Sequence, residues 1–230
     1  MVKIDEIRLI LFSAVEDVAI QKGFKQKKSG QVGGLLRIGK KITDSIGWGI
    51  FDYGELKQFG GFSAHNCHNE VREITLPVLV KYGLMGRSAS LKDWVYTFYP
   101  KEGLPTRLMN DFEFRDLKEI KFLKKIYRDF FINEALPYFK RWDSVLKVYE
   151  YVKDIEDDGE TGLGLFPQYE KAVIMKLCND KGYKEYFNNY FLQKEKFHLE
   201  TPENKDRQVY FNAAKDMTEV LETLEPRYNL

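Results

Sequence analysis

Residues 42–53 alternate in character. Ile46, Trp48 and Ile50 fall on one parity, and Ser45, Gly47 and Gly49 on the other. A two-residue period is the mark of a strand with one buried face, because successive side chains of a pleated strand point to opposite sides. Asp52-Tyr53-Gly54-Glu55 then reads as a hairpin turn. A further strand follows at about 56–67, with Phe59, Gly61, Ser63 and His65 on one parity and Phe62 and Ala64 on the other. An earlier strand is expected at about 32–40, with Leu36 and Ile38 sharing a face. Gly47, Gly49, Gly60 and Gly61 weaken strand propensity. They fit bulges, or places where another backbone or ring lies close.

Helices flank these strands. Ile4, Ile7, Leu11, Ala14, Val15 and Val18 trace one apolar face and predict a helix over 4–22, stopped by Gly23. Glu70–Tyr82 repeats that spacing, with Pro77 predicting a kink or break. Gly83, Gly86 and Ser88 mark a loop, and Trp94–Tyr99 and Asp111–Arg115 read as short strands. From about Asp116 onward only helices are expected. One stripe runs Leu117, Ile120, Leu123, Tyr127, Phe130, Phe131 and ends at Pro137. The next is capped by Asp143 or Ser144, and another opens at Pro167 and runs to about Asn179. The last two are expected at about Tyr183–Lys196 and from Thr201-Pro202-Glu203 onward. Segregated elements predict an α+β fold. It comprises an antiparallel sheet of about 4–5 strands, an N-terminal helix and a C-terminal run of helices. The expected division is an α+β domain over 1–142 and a helical segment over 143–230, packed as one compact unit.

Charge is unevenly spread. The net formal charge is +1, so no whole-chain field argues for nucleic acid or an anionic membrane. Yet no acidic residue lies between Asp17 and Asp44, where Lys22, Lys25, Lys27, Lys28, Arg37, Lys40 and Lys41 all fall. Phe24 is the aromatic residue of that run, which is thin support for single-strand binding. A solvated sheet edge or an acidic protein partner fits it better. Residues 154–160 are sharply acidic. Cys67 and Cys178 are too few for a disulfide scaffold. The first residues carry acids where a secretory signal has an apolar run, and no stretch approaches a membrane span. A cytoplasmic protein is the expectation.

Each chemically suggestive cluster fails a requirement. His65-Asn66-Cys67-His68 gathers metal-capable side chains. Zinc wants two such pairs, and strand parity sends His68 away from His65 and Cys67. Cys67 lacks the arranged base that a nucleophile needs. Asp154-x-Glu156-x-Asp158-Gly159 echoes a calcium loop, but Leu165 stands where the bidentate glutamate belongs. No phosphate-binding or hydrolase motif is present. No catalytic residue, metal or cofactor is therefore assigned. The positions singled out for binding are Arg37, Trp48, Tyr53 and His65, in or beside the glycine-rich strands.

A helix leading through Gly23-Phe24-Lys25 into a basic strand, then Ser45–Tyr53 and Phe59–His65, resembles the bacterial family labelled domain of unknown function 4304. Ala135-Leu136-Pro137-Tyr138-Phe139 followed by Asp143-Ser144 is similar to its closing segment. The resemblance covers roughly residues 5–155. It implies a bacterial, immunity-like binding protein and no catalytic residues. The expectation is a non-enzymatic protein that acts on a protein partner. The alternatives are a ligand or enzyme site on the glycine-rich sheet, and a structural role in which the C-terminal helices make an oligomer.

Overall fold

The structure is a computed structural model that describes residues 2–29, 32–86, 98, 100, 106–109, 112–156 and 158–230. It is α+β: in chain order an N-terminal helical segment, an antiparallel sheet and a C-terminal run of helices. The residues group into two compact units, 1–66 with 102–143, and 67–101 with 144–230.

The first unit holds the sheet. Its strands are β1 (Lys25–Ser29), β2 (Val32–Ile38), β3 (Ile42–Tyr53), β4 (Leu56–His68), β5 (Thr106–Leu108) and β6 (Glu113–Phe114). They lie in the order β1-β2-β3-β4-β5, with β6 also on β4. β1 is the basic run turned into an edge strand, and Asp111 of the expected 111–115 strand lies outside the described residues. The β3–β4 hairpin turns at Gly54, whose φ of +83 suits glycine. The buried amine of Lys57 secures the turn, donating to Asp52 Oδ1 (2.7 Å) and the Gly54 carbonyl (3.1 Å).

The expected alternation of β4 slips by one residue at Gly60–Gly61, where Gly61 takes φ +104. Phe59 and Phe62 therefore face the same side, their rings 4.9 Å apart, instead of opposite sides. A bulge of this kind inserts a residue and re-aims the chain beyond it. Trp48 approaches Phe59 at 6.1 Å, and Phe62 stacks on Tyr127 and Phe130 at 4.8 and 5.7 Å. This aromatic chain joins the sheet to α4 (Leu123–Phe130).

The predicted 4–22 helix is two, α1 (Ile4–Ser13) and α2 (Glu16–Gln21). The amides of Ala14 and Val15 bond three residues back, to Leu11 and Phe12. This tightened turn lets Ala14, Val15 and Ala19 all be buried. Pro137 does not end the helix before it. A π segment, Phe131–Ala135, carries α4 into α5 (Leu136–Arg141), and the Leu136 amide reaches back to Phe131. Widening the turn removes the clash between a proline ring and the carbonyl four residues earlier.

The second unit contains α3 (Asn69–Lys81), α6 (Val145–Val152), α7 (Pro167–Leu177), α8 (Tyr183–Glu200) and α9 (Lys205–Thr223). α3 runs unbroken through Pro77. Ser144 caps α6 and Asn204 caps α9, each accepting from backbone amides of the first turn. The expected 94–99 strand lies outside the described residues except for Phe98, which bridges to Leu163. Ser88 also lies outside them. Arg72 of α3 donates to Glu170 of α7 at 2.8 Å, and neither side chain reaches solvent. The chain end is tied down as well: the Arg227 and Tyr228 amides donate to the Leu177 carbonyl, and the Tyr228 hydroxyl to Glu70 (2.5 Å).

Two stability predictions follow from these packings. A Cβ on Gly33 would stand 2.1 Å from the Trp48 ring. Gly33→Ala is expected to cost about 1–3 kcal/mol in urea denaturation, the range for overpacking. Arg72→Met should cost about 3–5 kcal/mol by stranding Glu170, and Arg72→Met with Glu170→Met should recover most of that loss.

Candidate functional site

The two faces of the sheet have different fates. Arg37, Trp48, Phe59 and Phe62 lie on the face toward the helices. Trp48 is buried, its ring filling the space above its cross-strand partner Gly33. Arg37 pairs across the strands with Asp44, its Nε and Nη2 both reaching Oδ2 at 2.8 and 2.5 Å. Its guanidinium also sits 4.7 Å from the Phe24 ring centre. Burial pushes the Asp44 carboxyl up, and Arg37 pulls it back.

His65 and Tyr53 lie on the opposite face. His65 is buried, with Nε2 3.0 Å from Ser45 Oγ. Burial and then the nearby charge of Lys27 push its imidazole down to about 3. A serine–histidine pair has the outline of a nucleophile and its base. A base this weak, however, stays neutral and accepts a proton poorly at neutral pH. Cys67 and Cys178 are unbridged thiols. Among the described residues no group of three or more His, Cys, Asp or Glu could hold a metal ion.

Toward the β3–β4 hairpin this second face opens. Tyr53 is 63% exposed and Phe51, on the same parity, 53%. A Cβ added to Gly60 would meet the Phe51 ring at 3.3 Å, and one added to Gly49 would meet half-exposed Val32 at 3.8 Å. Leu108 pairs with Gly61 and is 69% exposed. Its neighbour Arg107 turns the other way, to Asp129 and Glu134. Val32, Phe51, Tyr53 and Leu108 thus share this face, with the Phe51 ring resting over Gly60 and Val32 beside Gly49. Lys25 is exposed on the same face, since its cross-strand partner Leu36 pairs with Ser45.

The structure therefore does not bring the four sequence-selected positions together. Tyr53 belongs to the open surface, while Arg37, Trp48 and His65 are held by Asp44, Gly33 and Ser45. Phe51, Val32 and Leu108 were not selected. Phe51 had a readable signal: a large ring on the parity of Ser45, Gly47 and Gly49, opposite Ile46, Trp48 and Ile50.

In the second unit the acidic loop is not wholly solvated. Asp158 accepts from the Tyr186 hydroxyl (2.6 Å) and lies 3.8 Å from Lys171 Nζ. Asp157 lies outside the described residues. No helix among the described residues is long and apolar enough to cross a membrane. No family model, curated protein or solved structure matches the chain.

The His65 environment fixes a sign for pH dependence. The unfolded imidazole titrates near 6.5 and the folded one near 3, so between these values the unfolded chain binds more protons. Stability should fall as pH drops from 6.5 toward 3, with a slope of up to about 1.4 kcal/mol per unit from this residue. Urea titrations across that window should show a shallower slope for His65→Gln than for the parent.

Proposed function

We propose that this chain is a non-enzymatic binding protein, immunity-like in its mode of action, which captures a protein partner on the open face of its sheet. The observation that carries this reading is the pair Phe51 and Tyr53. They are two large rings more than half exposed on one strand face, the Phe51 ring lying over Gly60. Exposed aromatic anchors are what protein interfaces concentrate at their centres. Lys25 extends the same face with positive charge, and Lys40 and Lys41 lie exposed at the β2–β3 turn. A partner that offers an apolar side chain flanked by carboxylates complements both features. Blocking by surface complementarity needs no nucleophile, and it suits a face whose histidine is buried and neutral.

Photo-crosslinking tests this. A benzophenone side chain at Phe51, in cells that encode the protein, should capture a discrete protein, whereas one at exposed Ile20 should not. Phe51→Ser with Tyr53→Ser should abolish retention of that same protein in a pull-down while the melting temperature changes little. Equal retention by the double variant, or retention of nucleic acid or a small molecule alone, would sink the reading.

A further inference from the structure

The last carbonyls of an α-helix have no partner inside it. In α7 the chain turns away at Cys178 and Asn179, whose φ is +58. The Leu177 carbonyl is met from elsewhere, by the amides of Arg227 and Tyr228, both at 2.9 Å. These amides belong to segment 224–230, which leaves α9 after Thr223. The same segment reaches the first turn of α3. There the Tyr228 hydroxyl donates to Glu70 Oε1, and Arg227 Nη1 stands 3.4 Å from Glu70 Oε2. No residue of 224–230 is buried. Polar contacts to one carbonyl and one carboxylate hold the segment, with no buried apolar side chain among them. Segments held in this way open at low free energy, apart from the global transition. Cys178 follows Leu177 directly and is 1% exposed. Burial, and then the charges of Glu70, Asp180 and Glu150, push its thiol up to about 12. Burial, Glu70 and then Cys178 raise the Tyr228 hydroxyl in turn, so that hydroxyl lies within electrostatic reach of the thiol.

We infer that segment 224–230 is a strap that closes over Cys178 and opens without unfolding of the helices, so that Cys178 is a concealed thiol whose reaction with disulfides the strap controls. In the closed form the thiol is covered, and its carboxylate surroundings keep the reactive thiolate scarce. Opening releases the Leu177 carbonyl, Glu70 and the thiol to water together. The thiol then loses its proton to solvent. Its sulfur attacks one sulfur of a disulfide reagent, that S–S bond breaks, and the other half leaves as a thiolate. The mixed disulfide so formed does not fit beneath a strap that leaves Cys178 only 1% exposed. It holds the strap open until a thiol reduces it, because a group that is tolerated by the open form alone shifts the equilibrium toward that form.

Thiol kinetics test the strap on the full chain. In a Cys67→Ser background Cys178 is the remaining cysteine, and the probe is the neutral aromatic disulfide dithiodipyridine. The reaction should be slow, proportional to reagent concentration, and insensitive to urea well below the unfolding midpoint, as local opening requires. Tyr228→Phe in that background removes the hydroxyl bond to Glu70. It should speed the reaction about tenfold or more, the effect of losing one hydrogen bond to a charged group, while the urea midpoint changes little. Trypsin cleavage after Arg227 should quicken once the thiol has reacted and slow again on reduction. A thiol whose rate rises with urea as steeply as global unfolding overturns the inference. So do equal rates with and without the Tyr228 hydroxyl, a folded parent that reacts as fast as the unfolded chain, or cleavage after Arg227 that ignores the state of the thiol.

Discussion

The sheet-bearing unit depends on the aromatic chain that runs from Trp48 through Phe59 and Phe62 to Tyr127 and Phe130. It exists because β4 slips at Gly61. Without the slip, Phe59 and Phe62 would face opposite ways, and one large ring would be lost from the seam between sheet and helix. The glycines are integral to this arrangement. Gly33 leaves room for the indole, Gly61 adopts the positive φ that re-aims the strand, and Gly60 lets the Phe51 ring lie against the strand on the far side.

One constraint therefore produces two surfaces. Large side chains are committed to the helix side, and Arg37 and Asp44 close its edge with a cross-strand ion pair. The opposite side is buried around Ser45 and His65 and opens toward the hairpin, where Phe51, Tyr53, Val32 and Leu108 remain. The second unit follows a different logic. A fully buried Arg72–Glu170 pair joins α3 to α7, its attraction largely offset by the cost of taking both charges out of water.

Much of this was legible in the sequence. The alternation of Ile46, Trp48 and Ile50 gave the bounds of β3 and the place of its hairpin, because a buried strand face leaves a period-two trace. At Gly60–Gly61 the glycines fitted a bulge, but the change of parity beyond it left no trace, since glycines carry no side chain from which parity can be read. The π segment before Pro137 was hidden for a related reason: proline reports a conflict with the preceding helical turn but not how the turn resolves it. The division of the chain between α3 and the early strands depends on contacts distant in sequence, Arg72 with Glu170 and Glu70 with Tyr228, which local patterns do not encode. Of the surface, Tyr53 was visible as an aromatic at a turn. Trp48 and His65 drew notice for their chemistry, which the fold uses internally.

Adjacent residues of β3 have opposite fates: Ile50 is packed in the core and Phe51 is more than half exposed on the open face. Equilibrium urea denaturation of Ile50→Ala and Phe51→Ala measures this directly. The account predicts a loss of about 2–5 kcal/mol for Ile50→Ala and less than about 1 kcal/mol for Phe51→Ala. A loss for Phe51→Ala equal to that for Ile50→Ala would contradict it, for the ring would then be part of a packed core and not of the open face.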